Sequence, residues 1–313
     1  ALNRRLELGG GPPDLSGELG GERRSYRWRG GKISYSVAGD PESEPLLLVH
    51  GIYAGASSFE FRKNFAALSE SYRVYALDLL GCGRSEKPRR RYRPEDVTAQ
   101  IEEFAGEEIG VQTHLVASSL SATLAMPAAV RSPRLFGKVV LICPPGMVSL
   151  SRPSGRLGDA VYGLLRLPVL GQALYHALAS RRSIRYYLER MAYHDGGLVT
   201  DELVEALYRA AHGPGSEYLP AAFVAGKLNL GAAEYYPRVP HRSMIAWGLK
   251  ARTVPVREAE EFTNRNPRSE PRIFRNAALL PHDERAATFN EEVGKFLAGQ
   301  RAGGCPNGSG SGS

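Results

Sequence analysis

Apolar and polar positions alternate through residues 25–38, with Gly30-Gly31 at the centre, which predicts a hairpin of two half-buried strands. Pro45-Leu46-Leu47-Leu48-Val49 is continuously apolar and ends in His50-Gly51, the pattern of a parallel strand buried on both faces. Residues 59–68 have helical spacing and residues 72–78 are strand-like. Residues 94–108 form a helical stretch opened by Pro94, with Glu95 and Asp96 in its first turn. A short apolar strand from Thr113 then runs into a serine-rich helix, in which Pro127 predicts a kink or a short first segment. Residues 138–143 supply another buried strand, closed by Pro144-Pro145-Gly146. Strands alternating with helices imply a doubly wound, mostly parallel α/β sheet with right-handed crossovers.

The alternation stops after Gly146. Residues 157–167, 171–179, 183–193 and 200–211 are helical in pattern, and a stretch of this length exceeds a bare connection, so it predicts a helical lid inserted over the sheet edge. Strand patterns resume at 243–248 and 272–274, separated by a helix at 256–265 and followed by an amphipathic helix at 285–297. The expected organisation is a loose leader (1–24), a core in two parts (25–146 and 237–298), a lid insertion (147–236) and a tail (299–313). The tail's Asn307-Gly308-Ser309-Gly310-Ser311-Gly312-Ser313 resembles an engineered flexible linker.

Composition narrows the classes. Of 313 residues, 40 are Lys or Arg and 33 Asp or Glu, for a net charge of +7. The excess includes Arg89-Arg90-Arg91 and Arg181-Arg182, short clusters of the kind found on solvated surfaces. No recognition motif or basic face interleaved with aromatics points to nucleic acid; an anionic lipid or acidic partner stays open on charge alone. No apolar run approaches the roughly 20 residues of a bilayer span, and the start lacks the apolar core of a signal peptide. The expectation is a cytoplasmic protein with no integral membrane segment. Cys82, Cys143 and Cys305 are scattered, without the spacing of a zinc site or a disulfide framework.

The candidate chemistry lies in Ala117-Ser118-Ser119-Leu120-Ser121. A serine lifted above a sheet on a tight strand-to-helix turn needs small residues two positions to either side, because neighbouring backbones crowd there. Ser118 is flanked in that sense by Val116 and Leu120, and Ser121 has β-branched Thr123 on one side. Ser119 alone has small flanks, Ala117 and Ser121, in place of the usual glycines. The competing interpretation is a serine-rich helix start that caps backbone donors.

With His50-Gly51, Asp78-x-x-Gly81-x-Gly83-x-Ser85, the Ser119 turn, Cys143-Pro144-Pro145-Gly146, Trp247-Gly248 with Pro255, and Pro281-His282-Asp283-Glu284 in this order, the chain resembles the α/β-hydrolase superfamily from about residue 26 to 297. The resemblance implies Ser119 as nucleophile and the amides of Ile52 and Leu120 as oxyanion donors, assisted by Tyr53. It also exposes two departures. The position of the triad acid is Ala251 and that of the triad histidine is Leu279. A serine needs a base, and His282 is the nearest substitute in sequence, with Glu258 or Asp283 to orient it and His176 or His194 as alternatives from the lid. His50 is expected to shape the oxyanion loop, Asp78 to serve the turn after its strand, and Cys82 and Cys143 to be small buried residues.

Three functions follow as expectations. The first is a hydrolase of small ester, thioester or amide substrates; the second is a non-catalytic member binding a hydrophobic small molecule or protein partner in a lidded pocket. The third, proton transfer or lyase chemistry in the oxyanion hole, has no specific support. No cofactor or metal is implied, and nothing specifies an oligomeric state. Tyr162, Leu165, Tyr175, Tyr186, Tyr187 and Met191 suggest an apolar pocket or ordinary helix packing.

Overall fold

Arg29 and Gly30 both have positive φ, 45° and 86°, the backbone a two-residue hairpin turn needs to match strand twist. They join β1 (Glu22–Trp28) to β2 (Gly31–Ala38), so the strand pairing begins three residues before the expected start at 25. The structure is a computed structural model that describes residues 19–300. Cys305, the 307–313 segment and most of the expected leader and tail lie outside the described residues.

The other strands are β3 (Pro45–Val49), β4 (Arg73–Leu77), β5 (Thr113–Ser118), β6 (Phe136–Ile142), β7 (Ser243–Gly248) and β8 (Ser269–Phe274). They form one sheet in the order β1-β2-β4-β3-β5-β6-β7-β8. β1, β2 and β4 pair antiparallel and all remaining pairs are parallel. After β3 the chain crosses outward to β4, returns to β5 on the other side of β3, and then builds toward β8. The carboxyl ends of β3 and β5, in register at Val49 and Ala117, therefore flank the switch point where open α/β sheets bind ligands. The continuous apolar runs of β3, β5 and β6 are buried because helices cover both sheet faces. β8 is longer than its sequence pattern because it includes Pro271, tolerated on an edge strand where no neighbour needs its missing N–H.

In chain order the helices before β6 are α1 (Phe65–Ser69), α2 (Pro94–Glu103) and α3 (Ser119–Arg131). The expected helix over 59–68 is divided, a 3-10 turn (Ser58–Phe61) preceding α1. α2 continues into a π-helical stretch closed by Gly110 at φ 75°. α3 passes through Pro127 as one helix, so the expected short first segment is absent. The helix is buried from Leu120 to Ala129, and that packing outweighs the one hydrogen bond Pro127 cannot donate.

Between β6 and β7 lie α4 (Arg156–Leu165), α5 (Leu170–Leu178), α6 (Arg181–Tyr187), α7 (Asp201–Ala211), α8 (Tyr218–Val224) and α9 (Ala232–Tyr235). Thr200 caps α7 by accepting from the Leu203 amide. α8 has no counterpart among the expected helices: it is only two turns long and contains Pro220. The expected helix over 183–193 ends as α6 at Tyr187 and continues as a π-helical turn (Leu188–Ala192). α10 (Arg257–Arg265), α11 (Pro281–Glu284) and α12 (Ala286–Leu297) complete the chain. No helix among the described residues is long and apolar enough to cross a membrane.

Asp78 is buried at the end of β4, where its carboxylate accepts from the amides of Ser58 and Arg84 and from Arg84 Nε. A Cβ at Gly83 would stand 2.5 Å from that carboxylate, which is why the turn requires glycine there. Burial pushes the Asp78 pKa up, but Arg84, His50 and the two amides outweigh it and hold the group below its ordinary 3.8. Asp283 is likewise lowered: burial opposes, while Arg62, Lys63 and Tyr193 prevail. A carboxylate depressed in the folded state contributes stability that is complete above its unfolded pKa and is lost as pH falls through the folded one. Glu284 acts in the opposite sense, because burial outweighs its three backbone donors and raises its pKa. Thermal melts over a pH series are expected to show Tm falling progressively below about pH 5; a Tm that stayed level into the unfolded range of these carboxylates would contradict the assignment.

Candidate active site

The turn from β5 to α3 fixes the position of Ser119. Ser118 is still extended, at φ −110° and ψ 142°, whereas Ser119 has φ 51°, a left-handed conformation that costs a residue with a Cβ about 1–2 kcal/mol. The reversal buries Ser118 completely and turns Ser119 toward a cavity of about 760 Å³. Ala117 and Ser121 are fully buried beneath it, in agreement with the size argument from sequence. Gly51 approaches from β3 so closely that a Cβ there would lie 3.3 Å from the Ser119 Cβ.

The loop after β3 is held by His50, whose Nε2 accepts from the Leu79 amide at 3.1 Å and whose Nδ1 lies 2.6 Å from the Gly51 carbonyl. These bonds assign the proton to Nδ1. His50 thus ties the ends of β3 and β4 together rather than facing the cavity. The Ile52 amide has no hydrogen-bond partner among the described residues, and the Leu120 amide sits in the first turn of α3, where no intrahelical acceptor exists. Both are backbone donors without a hydrogen-bond partner among the described residues, Leu120 following Ser119 and Ile52 following Gly51 in the chain. The Tyr53 ring lines the cavity, but its hydroxyl donates to Glu60 Oε2 at 3.0 Å.

Glu60 is the residue that sequence reasoning missed. It lies in the 3-10 turn after the His50-Gly51 loop and is almost completely buried. Its Oε2 also accepts from the Gly51 amide at 3.0 Å, and its Oε1 is 3.2 Å from His282 Nε2. The latter contact has angles outside hydrogen-bond range. The point where a Gly51 Cβ would lie is 3.3 Å from both Glu60 Oε2 and Ser119 Cβ, so Gly51 stands between the carboxylate and the serine. Burial alone would raise the Glu60 pKa; His282, the Ser118 hydroxyl and His50 reverse this and keep it below 4.5. The available sequence signal was an acid between Phe59 and Phe61, a residue type that is rarely buried without a partner.

His282 is fully buried, with Phe61 and Phe289 at ring-centroid distances of 5.2 and 5.8 Å. It does not line the cavity; Leu279, at the triad histidine position, does, together with Ser119. Ala251 is buried and does not line the cavity. Asp283 is turned to Arg62, Lys63 and the Tyr193 hydroxyl, and Glu258 holds the Val148 and Ser149 amides and the Ser149 hydroxyl. Neither orients His282. His176 stacks on His212 at 4.9 Å, and the His194 amide donates to Glu284; neither histidine lines the cavity.

The cavity wall is formed on the sheet side by Tyr53, Pro145, Val254 and Leu279, and on the insertion side by Leu165, Tyr175, Tyr187 and Val224 among others. Met191 and Tyr162 are not part of it. Among the described residues no carboxylate or imidazole lines this space, and Arg182 is the charged residue that does. A serine on a strained turn, two unused amides at a sheet switch point and an apolar chamber above them make up the site of a hydrolase-type scaffold.

The chain belongs to the alpha/beta hydrolase family, whose model matches residues 46–292. It is 29% identical over 268 residues to the 2-hydroxymuconate semialdehyde hydrolase of Pseudomonas sp. (strain CF600), covering 81% of this chain and 87% of that one. An uncharacterized hydrolase of Bacillus subtilis (strain 168), YugF, is 24% identical, with 88% and 97% coverage. Among solved structures, the meta-cleavage product hydrolase CumD of Pseudomonas fluorescens IP01 superposes with a TM-score of 0.70 at 25% identity, covering 90% of this chain and 98% of that one. A serine hydrolase involved in carbazole degradation, CarC, superposes with a TM-score of 0.73 at 20% identity over 89% of this chain and 99% of its own.

Proposed function

We propose that this protein hydrolyses small, largely apolar ester, thioester or amide substrates through an acyl-enzyme on Ser119. The observation that carries this reading is the strained φ of Ser119 at the floor of an apolar chamber, since strain of this kind persists where the surrounding structure is built to hold it. Relatives whose names are those of hydrolases support the reaction class. In the proposed step Ser119 Oγ attacks the carbonyl carbon, and the oxyanion is held by the Ile52 and Leu120 amides, each donor contributing roughly 2.7–4 kcal/mol to the transition state. The proton passes to the Glu60–His282 pair and is returned to the alcohol, thiol or amine, which leaves as its bond to the carbonyl carbon breaks and the acyl-enzyme forms. Water then attacks the acyl carbon, giving a proton to the same pair, and the acid departs as its bond to Ser119 Oγ breaks and the oxygen takes the proton back. Turnover of p-nitrophenyl butyrate, together with covalent labelling of Ser119 by a fluorophosphonate, tests the proposal; failure of both rules it out.

A second reading, a binding protein without acyl transfer, is favoured by one specific observation: Leu279 lines the chamber where an imidazole would serve Ser119. The two readings part on a rebuilt triad. If the Glu60–His282 pair is a weak base, Ala251→Asp with Leu279→His is expected to raise ester kcat/KM by about 10²-fold, the usual contribution of a placed general base. A folded double variant with no gain over a measurably active parent would mean the base already present is adequate; no activity in either would favour the binder.

A further inference from the structure

Helices that cover a core normally turn their apolar stripe inward and their charges outward. α4 and α5 depart from this. Leu157 and Leu164, two turns apart on α4, are 81% and 42% exposed, and Leu170 and Leu178 on α5 are 49% and 54% exposed. The link between the helices adds exposed Leu167 and Pro168. Leu178, Tyr186 and Val224 are exposed and also line the chamber above Ser119, so the apolar patch continues into the pocket mouth.

Charge on the same stretch is one-sided. From residue 148 to residue 187 there are six arginines and one acid, Asp159, and Asp159 is paired with Lys227. Arg152, Arg156 and Arg182 are exposed and form no ion pair among the described residues. An outward apolar stripe rimmed by unpaired arginines is the signature of a helix lying in a bilayer interface, with leucines among acyl chains and guanidinium groups at phosphate level. A second copy of this chain is a poor fit, because a two-fold contact through this face would bring the arginine rims together.

We propose that the outer face of α4 and α5 docks on an anionic phospholipid surface and that apolar ligands enter the chamber from the bilayer through the mouth bounded by Leu178, Tyr186 and Val224. The docking does not depend on whether Ser119 turns over an ester, and its test needs no activity. Co-sedimentation with vesicles of pure phosphatidylcholine and with vesicles containing phosphatidylglycerol is expected to show at least tenfold tighter binding to the anionic set, weakened by salt. Leu157→Asp with Leu164→Asp, and separately Arg152→Glu with Arg156→Glu, are each expected to lose at least tenfold of that binding while retaining the parental circular dichroism and Tm. Because all four side chains are exposed, loss of fold is not expected; should either pair unfold, Leu157→Gln alone makes the same test. No preference for anionic vesicles, or equal binding by parent and folded variants, overturns the proposal. So does a dimer on gel filtration that the leucine variants convert to monomer without any change in vesicle binding.

Discussion

Ser119→Ala is expected to eliminate fluorophosphonate labelling and to lower ester kcat/KM by at least about 10³-fold, in line with the loss on removing a nucleophile while leaving the oxyanion donors in place. The same variant should not be destabilised, because Ser119 makes no side-chain hydrogen bond among the described residues and alanine keeps the Cβ that packs toward Gly51. Mass spectrometry of the labelled protein and initial rates on p-nitrophenyl butyrate are the measurements. Turnover that survived at parental rate in Ser119→Ala would remove the serine from the chemistry.

Glu60→Ala is expected to cost roughly 2–6 kcal/mol of stability, about 1–3 for each of the two buried donors left without an acceptor, and to lower Tm by on the order of 10 °C. The loss exceeds that of a surface pair because Glu60 also satisfies the Gly51 amide and the Tyr53 hydroxyl, which would be left buried without an acceptor. Combining it with His282→Phe, which fills the space between Phe61 and Phe289 with an apolar ring, should recover part of the loss. That coupling is read from a double-mutant cycle by urea denaturation. Additive effects would mean that the 3.2 Å contact carries no interaction energy. Glu60→Gln, which retains the shape and an acceptor for Gly51, separates the roles: a folded variant with parental activity would show that Glu60 is structural and takes no proton from Ser119.

Much of the scaffold was legible because its signals are local. A run such as Leu46-Leu47-Leu48-Val49 can be buried on both faces only inside a covered sheet, and the repeated return of such runs between helical stretches restricts the topology to a few parallel arrangements. The boundaries were less legible. The helix over 59–68 divided and the strand at 269–274 began before its apolar residues, since tertiary packing and edge position override local pattern at element ends. Pro127 was overridden in the same way, by burial along the whole of α3.

The site divides along the same line. Sequence alone determined that Ser119 is the serine of the turn, because steric crowding two residues to either side is a local constraint that Ala117 and Ser121 meet. It also determined that Ala251 and Leu279 cannot act as acid and base, since neither side chain carries a titratable group. What only the tertiary structure decided is the company Ser119 keeps. Glu60 and His282 lie at opposite ends of the chain and meet through the packing of the Ser58–Phe61 turn against α11, while His282, beside the vacated position in sequence, is turned away from the cavity by its place between Phe61 and Phe289. Such a pairing is set by how the sheet and its covering layers close on one another, and no periodicity or spacing along the chain records it.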